Sequence, residues 1–107
     1  MTIKNNSITP ELEQKLTISN LVFLAISKLT IRQLEIMKKV KSYERINPKI
    51  LIREVEKRLG FQKKQTINEI EELAELRIII PRTKEKNKEL ELTELGKLIT
   101  TEVEREV

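Results

Sequence analysis

The fold class that this sequence predicts is mainly α with one small β-hairpin, and three observations carry it. Helix-start signals recur at Thr9-Pro10, Thr30, Asn47-Pro48 and Thr93, each a side chain able to accept from a first-turn amide. Behind each signal, apolar residues recur at intervals of three and four. The exception is the stretch RIIIPRTKEKNKELELTELG, residues 77–96, where isoleucines run into Pro81, a lysine-rich tip follows, and Leu and Glu then alternate.

At 107 residues the chain is expected to form one domain, burying roughly two thirds of its unfolded surface. Residues 1–8 are expected to be a frayed leader. Thr9, Pro10 and Glu11 then supply a cap, a proline at the first helical position and an acid in the first turn, opening a helix over 10–28. Its second half, LTISNLVFLAI, is apolar on most sides and needs a cover. Thr30 with Gln33 forms a capping box for a helix whose face is Ile31, Leu34, Met37 and Val40, ending near Ser42. Asn47 and Pro48 start the next helix, which carries Leu51, Ile52, Val55 and Leu59 to Gly60, expected as a left-handed cap. A third helix of this group follows Gln62, burying Thr66 or Ile67 with Ile70, Leu73 and Ala74, and stops near Arg77. The short break at Gly60, Phe61 and Gln62 has the spacing of a helix-turn-helix. The hairpin pairs Ile78–Arg82 with Glu89–Thr93 around a tip of Thr83–Lys88, and Thr93 caps a C-terminal helix over 94–107.

Composition narrows the chemistry. Cysteine, histidine, tryptophan and aspartate are all absent, which excludes thiol and imidazole catalysis and disulfides and leaves no basis for a zinc or iron site or another cofactor. Ser19, Ser27 and Ser42 have no histidine to activate them. Glu71 and Glu72, adjacent on a helix, point in different directions, and two glycines cannot build a phosphate loop, so an enzyme is not expected. No apolar run approaches the roughly 20 residues that cross a bilayer. The N-terminus lacks an apolar signal core, and a cytoplasmic location is expected. Abundant Lys, Glu and Ile is a composition often met in thermophiles.

Charge is uneven along the chain. From Lys38 to Lys64 there are ten bases against three acids, whereas Thr66–Ile80 carries four glutamates against Arg77 and Leu90–Val107 five against two bases. A positive middle between acidic flanks is the pattern expected of a polyanion-binding face.

Helix, helix, turn, helix, hairpin is the order of a winged helix-turn-helix. The stretch from Leu29 to Gly96 resembles the small transcription regulators of the MarR and PadR kind, through LTIRQLEIM, RLGFQKKQTINEIEEL, RIIIPR and ELTELGKL. Glu56 stands where such proteins usually place a small residue, and Arg77 where a glycine often ends the recognition helix, so the resemblance implies a left-handed backbone at Arg77. It further implies a double-stranded DNA partner, with the helix over 63–76 in the major groove and the wing over 82–88 on the backbone or minor groove. Lys63, Lys64, Gln65 and Asn68 would then face the bases; Gln and Asn suit adenine, and Lys suits guanine or phosphate. Arg82, Lys84, Lys86, Asn87 and Lys88 would serve the wing, and Lys49 a backbone phosphate. Glu69 could accept from a cytosine amine, whereas Glu71 and Glu75 must face away from DNA or pair with lysines. Each set has a plainer alternative: solvated helix positions for the first, a charged tip that blocks edge pairing for the second.

The terminal helices carry apolar stripes through Leu12, Leu16, Leu21, Phe23 and Leu24, and through Leu95, Leu98, Ile99 and Val103. Either a second copy covers them as a homodimer, making them dimerisation helices, or they cover each other within one chain. Three functions follow from this reading: a dimeric, sequence-specific regulator; a winged-helix module that holds a protein through its acidic late helix and wing; or a non-specific DNA coater. Whether a small molecule acts as effector is not written in these residues.

Overall fold

The computed structural model describes residues 20–84 and 86–105. Helix α1 occupies 20–28 of these, followed by α2 (Ile31–Tyr43), α3 (Pro48–Leu59) and α4 (Lys63–Glu75). Strands β1 (Ile79–Lys84) and β2 (Asn87–Leu92) form an antiparallel hairpin, and α5 (Glu94–Arg105) follows. This is the mainly α winged helix-turn-helix expected. The frayed leader, residues 10–19 of the first helix and the last two residues of the C-terminal helix lie outside the described residues.

Local signals set the helix starts. The Thr30 hydroxyl accepts from the Gln33 amide at 3.0 Å while Gln33 Oε1 accepts from the Thr30 amide at 3.1 Å, completing the capping box. Asn47 Oδ1 accepts from the Lys49 amide at 2.8 Å, with Pro48 opening α3. Thr93 Oγ1 accepts from the Gly96 amide at 3.1 Å and donates to the carbonyls of Arg77 and Ile78, so the cap of α5 also fastens the entry to β1. Arg77 has φ 61°, the left-handed backbone expected there. Gly60, expected as an ordinary left-handed cap, instead combines φ 99° with ψ 161°, a region essentially confined to glycine.

Helix α2 is central, packing on α3, α4, α5 and β2. Of its expected face, Met37 and Val40 are buried and Leu34 is half-buried, whereas Ile31 is 76% exposed and Arg32, Gln33 and Ile36 turn inward instead. The rotated stripe includes Arg32, whose guanidinium finds acceptors where α3 ends and α4 begins. Ile46, Leu51, Val55, Leu73, Ile78, Ile79, Leu90, Leu92 and Ile99 join them in the core. On α1, Val22 is buried and Ala25 and Ile26, with Leu29 just after it, pack against that core, while Leu21, Phe23 and Leu24 remain exposed.

The hairpin is longer than the alternation implied. Pairing runs from Ile79↔Leu92 to Lys84↔Asn87, so Thr83, Lys84, Asn87 and Lys88, expected in the tip, belong to the ladder. Side-chain polarity does not prevent backbone pairing where the strands have left the core. The outer edge of β2 is bridged by Ile46, placing the α2–α3 connection alongside the hairpin.

Candidate nucleic-acid interface

The amino end of α4 is placed by a buried cation from another helix. Arg32 donates to Thr66 Oγ1 at 3.0 Å and to the Leu59 carbonyl at 3.2 Å, and reaches the Gly60 carbonyl and Gln62 Oε1 at 3.5 Å each. A guanidinium has five N–H donors in a rigid fork, which is what several acceptors on one turn require. Thr66 also donates to the Gln62 carbonyl at 3.1 Å, tying the first turn of α4 to the residue before it. With Thr66 and Leu73 buried, Lys63, Lys64, Gln65 and Asn68 all face solvent. No side chain caps this helix, so its first amides add to the positive end of the dipole.

Lys49, exposed at the start of α3, borders a hollow of about 310 Å³ with Ile52, Arg53, Glu56 and Lys63. Among the described residues, Lys49, Arg53, Lys63 and Lys64 make no ion pair. Arg53 was not singled out from the sequence, although it follows Lys49 by one helical turn, and that spacing could have found it. Glu56 is buried at this hollow.

The wing is less uniformly available. Lys86, Asn87 and Lys88 are exposed, and the backbone of Lys84 closes β1 while its side chain lies outside the description. Arg82 is engaged within the hairpin: its guanidinium pairs with Glu91 of β2, whose other oxygen lies 3.3 Å from Arg45. Arg82 stands opposite Glu89, so Glu91 is its diagonal neighbour on the same strand pair, within reach of a long side chain. The Arg82 hydrogen bond, with the charges of Arg82 and Arg45, holds the Glu91 carboxyl below its ordinary value against the opposing effect of burial.

The acids of α4 divide. Glu69 is buried, with Oε1 accepting from Thr30 Oγ1 at 3.0 Å, so it does not face a base as its residue type allowed. Glu72 accepts from Gln33 Nε2 at 2.9 Å. Glu75 is exposed, and Glu71 lines a second hollow of about 310 Å³, between α4 and the wing, with Lys88 and mainly apolar neighbours.

Among the apolar residues expected at a dimer seam, Leu21, Phe23, Leu24 and Leu98 are exposed, Phe23 at 70%. Leu95 and Val103 are partly buried against the core. Ile99 is 0% exposed, enclosed by its own chain. Leu12 and Leu16 lie outside the described residues. Among the described residues, no helix is long and apolar enough to cross a membrane.

No family model matches this chain, and no curated protein matches its sequence. Solved structures do match its fold. F-93 of SSV1 superposes with a TM-score of 0.61 at 20% identity, over 73% of this chain and 91% of that one. The adhesin competence repressor AdcR of Streptococcus pyogenes gives 0.58 at 24% identity, over 89% and 72%. The oxidised form of MarR from E. coli gives 0.60 at 14% identity, over 92% and 74%. The likeness in fold to MarR expected from the sequence is therefore present, within the class of winged helix-turn-helix proteins.

Proposed function

We propose that this protein is a transcription regulator, not an enzyme, that binds duplex DNA sequence-specifically as a homodimer. The observation that carries this reading is the set of exposed cations Lys49, Arg53, Lys63 and Lys64, without an ion-pair partner among the described residues, near the uncapped amino end of α4. Lys49, Arg53 and Lys63, which border one hollow, and the neighbouring Lys64 neutralise phosphates, while Gln65 and Asn68 can address base edges. The likeness in fold to AdcR, a repressor by name, supports the same role. Helix α4 and the residues to 76 enter the major groove, and Lys86, Asn87 and Lys88 meet the backbone or minor groove. A second copy covers Leu21, Phe23, Leu24 and Leu98 and carries its own α4 to a half-site about one helical turn away.

The test is an electrophoretic shift with random duplex beside the protein's own upstream region at two salt concentrations. Binding that favours one duplex, weakens with salt and loses that preference in the Lys64→Ala, Gln65→Ala double variant is expected; an affinity of that variant unchanged from wild type for every duplex tested would remove the assignment. Sedimentation should give a dimer that Phe23→Glu converts to monomers. A second reading, a module that holds a protein partner, is favoured by the apolar hollow between α4 and the wing with Glu71 at its rim. It gains if no duplex is retarded at low salt.

A further inference from the structure

Gln65 and Glu69 stand one helical turn apart on α4, so their side chains share a face. Gln65 Nε2 donates to Glu69 Oε1 at 3.4 Å. The same oxygen accepts from Thr30 Oγ1 at 3.0 Å, and Thr30 is itself fixed as the cap of α2 by the Gln33 amide at 3.0 Å. One hydroxyl can do both, since it offers one donor and two acceptor sites. The second carboxylate oxygen is buried, accepts no hydrogen bond among the described residues, and lies 4.0 Å from Arg32 Nε. The acid is thus anchored from a different helix, and Gln65, itself exposed, leans on a fixed support.

We propose that Glu69 is a positioning residue that turns the Gln65 amide so that its carbonyl oxygen leads outward, making a base amine the group that Gln65 reads. This rests on the DNA-binding reading above. Its chemistry follows from what each group can do. A carboxylate is acceptor-only, so the nitrogen of the Gln65 amide must face Glu69; the reverse orientation would set two acceptor oxygens against each other. The outward oxygen then meets the exocyclic amine of adenine or of cytosine. The second Nε2 hydrogen remains free, and adenine alone offers an N7 acceptor beside its amine. Adenine is therefore preferred, cytosine tolerated through its amine, and guanine and thymine, which present acceptor oxygens at that place, rejected. A preset amide also loses less rotamer freedom on binding than a free one.

The test is selection of bound sequences from randomised duplexes by the full chain and by two variants, with thermal melts of each. Gln65→Ala should flatten the preference at one base pair and so mark the one that Gln65 reaches. Glu69→Gln keeps the shape but can donate to the Gln65 oxygen, and should lower discrimination at that pair by about tenfold while other positions keep theirs. A Glu69→Gln profile identical to wild type at that pair, or a loss spread evenly over all positions, would overturn the proposal. Should that variant melt early, the wild-type protein still decides. In its amide NMR spectrum the Gln65 side-chain group should be ordered before DNA is added, and a freely rotating group would overturn the proposal. If the wild type enriches no sequence, the DNA-binding reading falls. If it enriches one that Gln65→Ala leaves intact, only the role given to Glu69 and Gln65 falls.

Discussion

Pro81 stands opposite Leu90 in the hairpin, and Leu90 turns both of its backbone groups away from Pro81 toward Ile46, donating to its carbonyl at 2.8 Å and accepting from its amide at 3.0 Å. In an antiparallel ladder the N–H and C=O of one residue point to the same side. The strand that Pro81 faces therefore asks nothing of its missing amide, and proline lies where a hairpin tolerates it, on an outer edge. Pro81→Thr is expected to change stability by less than about 1 kcal/mol in urea unfolding. A loss beyond about 2 kcal/mol would mean that the ring itself carries packing.

Gly96 has no such freedom. A Cβ there would collide with the Ile78 carbonyl oxygen and press on the Leu92 side chain at 3.0 Å. Since that carbonyl also accepts from the Thr93 amide at 2.9 Å, it cannot move without opening the start of α5. Gly96→Ala should cost about 2 kcal/mol or more, read as a lower thermal midpoint. Gly60→Ala, with nothing within 4 Å, should cost through backbone strain alone, about 1 to 3 kcal/mol.

Arg32 links α2 to the turn before α4 from a nearly buried position, its side chain 8% exposed. Replacing it with leucine removes the cation beside the Glu69 carboxylate and the donor to four acceptors, on Leu59, Gly60, Gln62 and Thr66. Arg32→Leu is expected to destabilise the fold by about 3 kcal/mol. An unchanged unfolding midpoint would show that water replaces the guanidinium at little cost.

Glu91 supplies a pH dependence. Its folded carboxyl lies below the ordinary value, chiefly because Arg82 donates to it. A lowered carboxyl contributes stability that is full above its unfolded value, about 4.3, and that disappears as pH falls through the lower folded value. Between pH 7 and about pH 3 the wild type should therefore lose more stability than Glu91→Gln. Parallel losses in the two proteins would remove Glu91 from the acid limb.

Arg53 tests the cationic rim without touching the bases. If it meets a phosphate, Arg53→Ala should weaken all duplexes alike and reduce the slope of log affinity against log salt by about 0.9. An unaltered slope would place the guanidinium away from DNA.

Helix starts were legible in the sequence because a cap is a local contract. Thr30 with Gln33, Asn47 with Lys49, and Thr93 with Gly96 each close within three residues, whatever the rest of the chain does. The positive φ of Arg77 and the buried pair Leu90 and Leu92 were legible for the same reason, one from a family position and one from a two-residue period. The inward turn of Arg32, the burial of Glu69 and the enclosure of Ile99 were not. Arg32 meets the Leu59 carbonyl 27 residues away, and Gln33 meets Glu72 39 residues away. Such partners exist only after the helices have packed, because a buried polar group goes where acceptors converge, and no nearby residue announces that place.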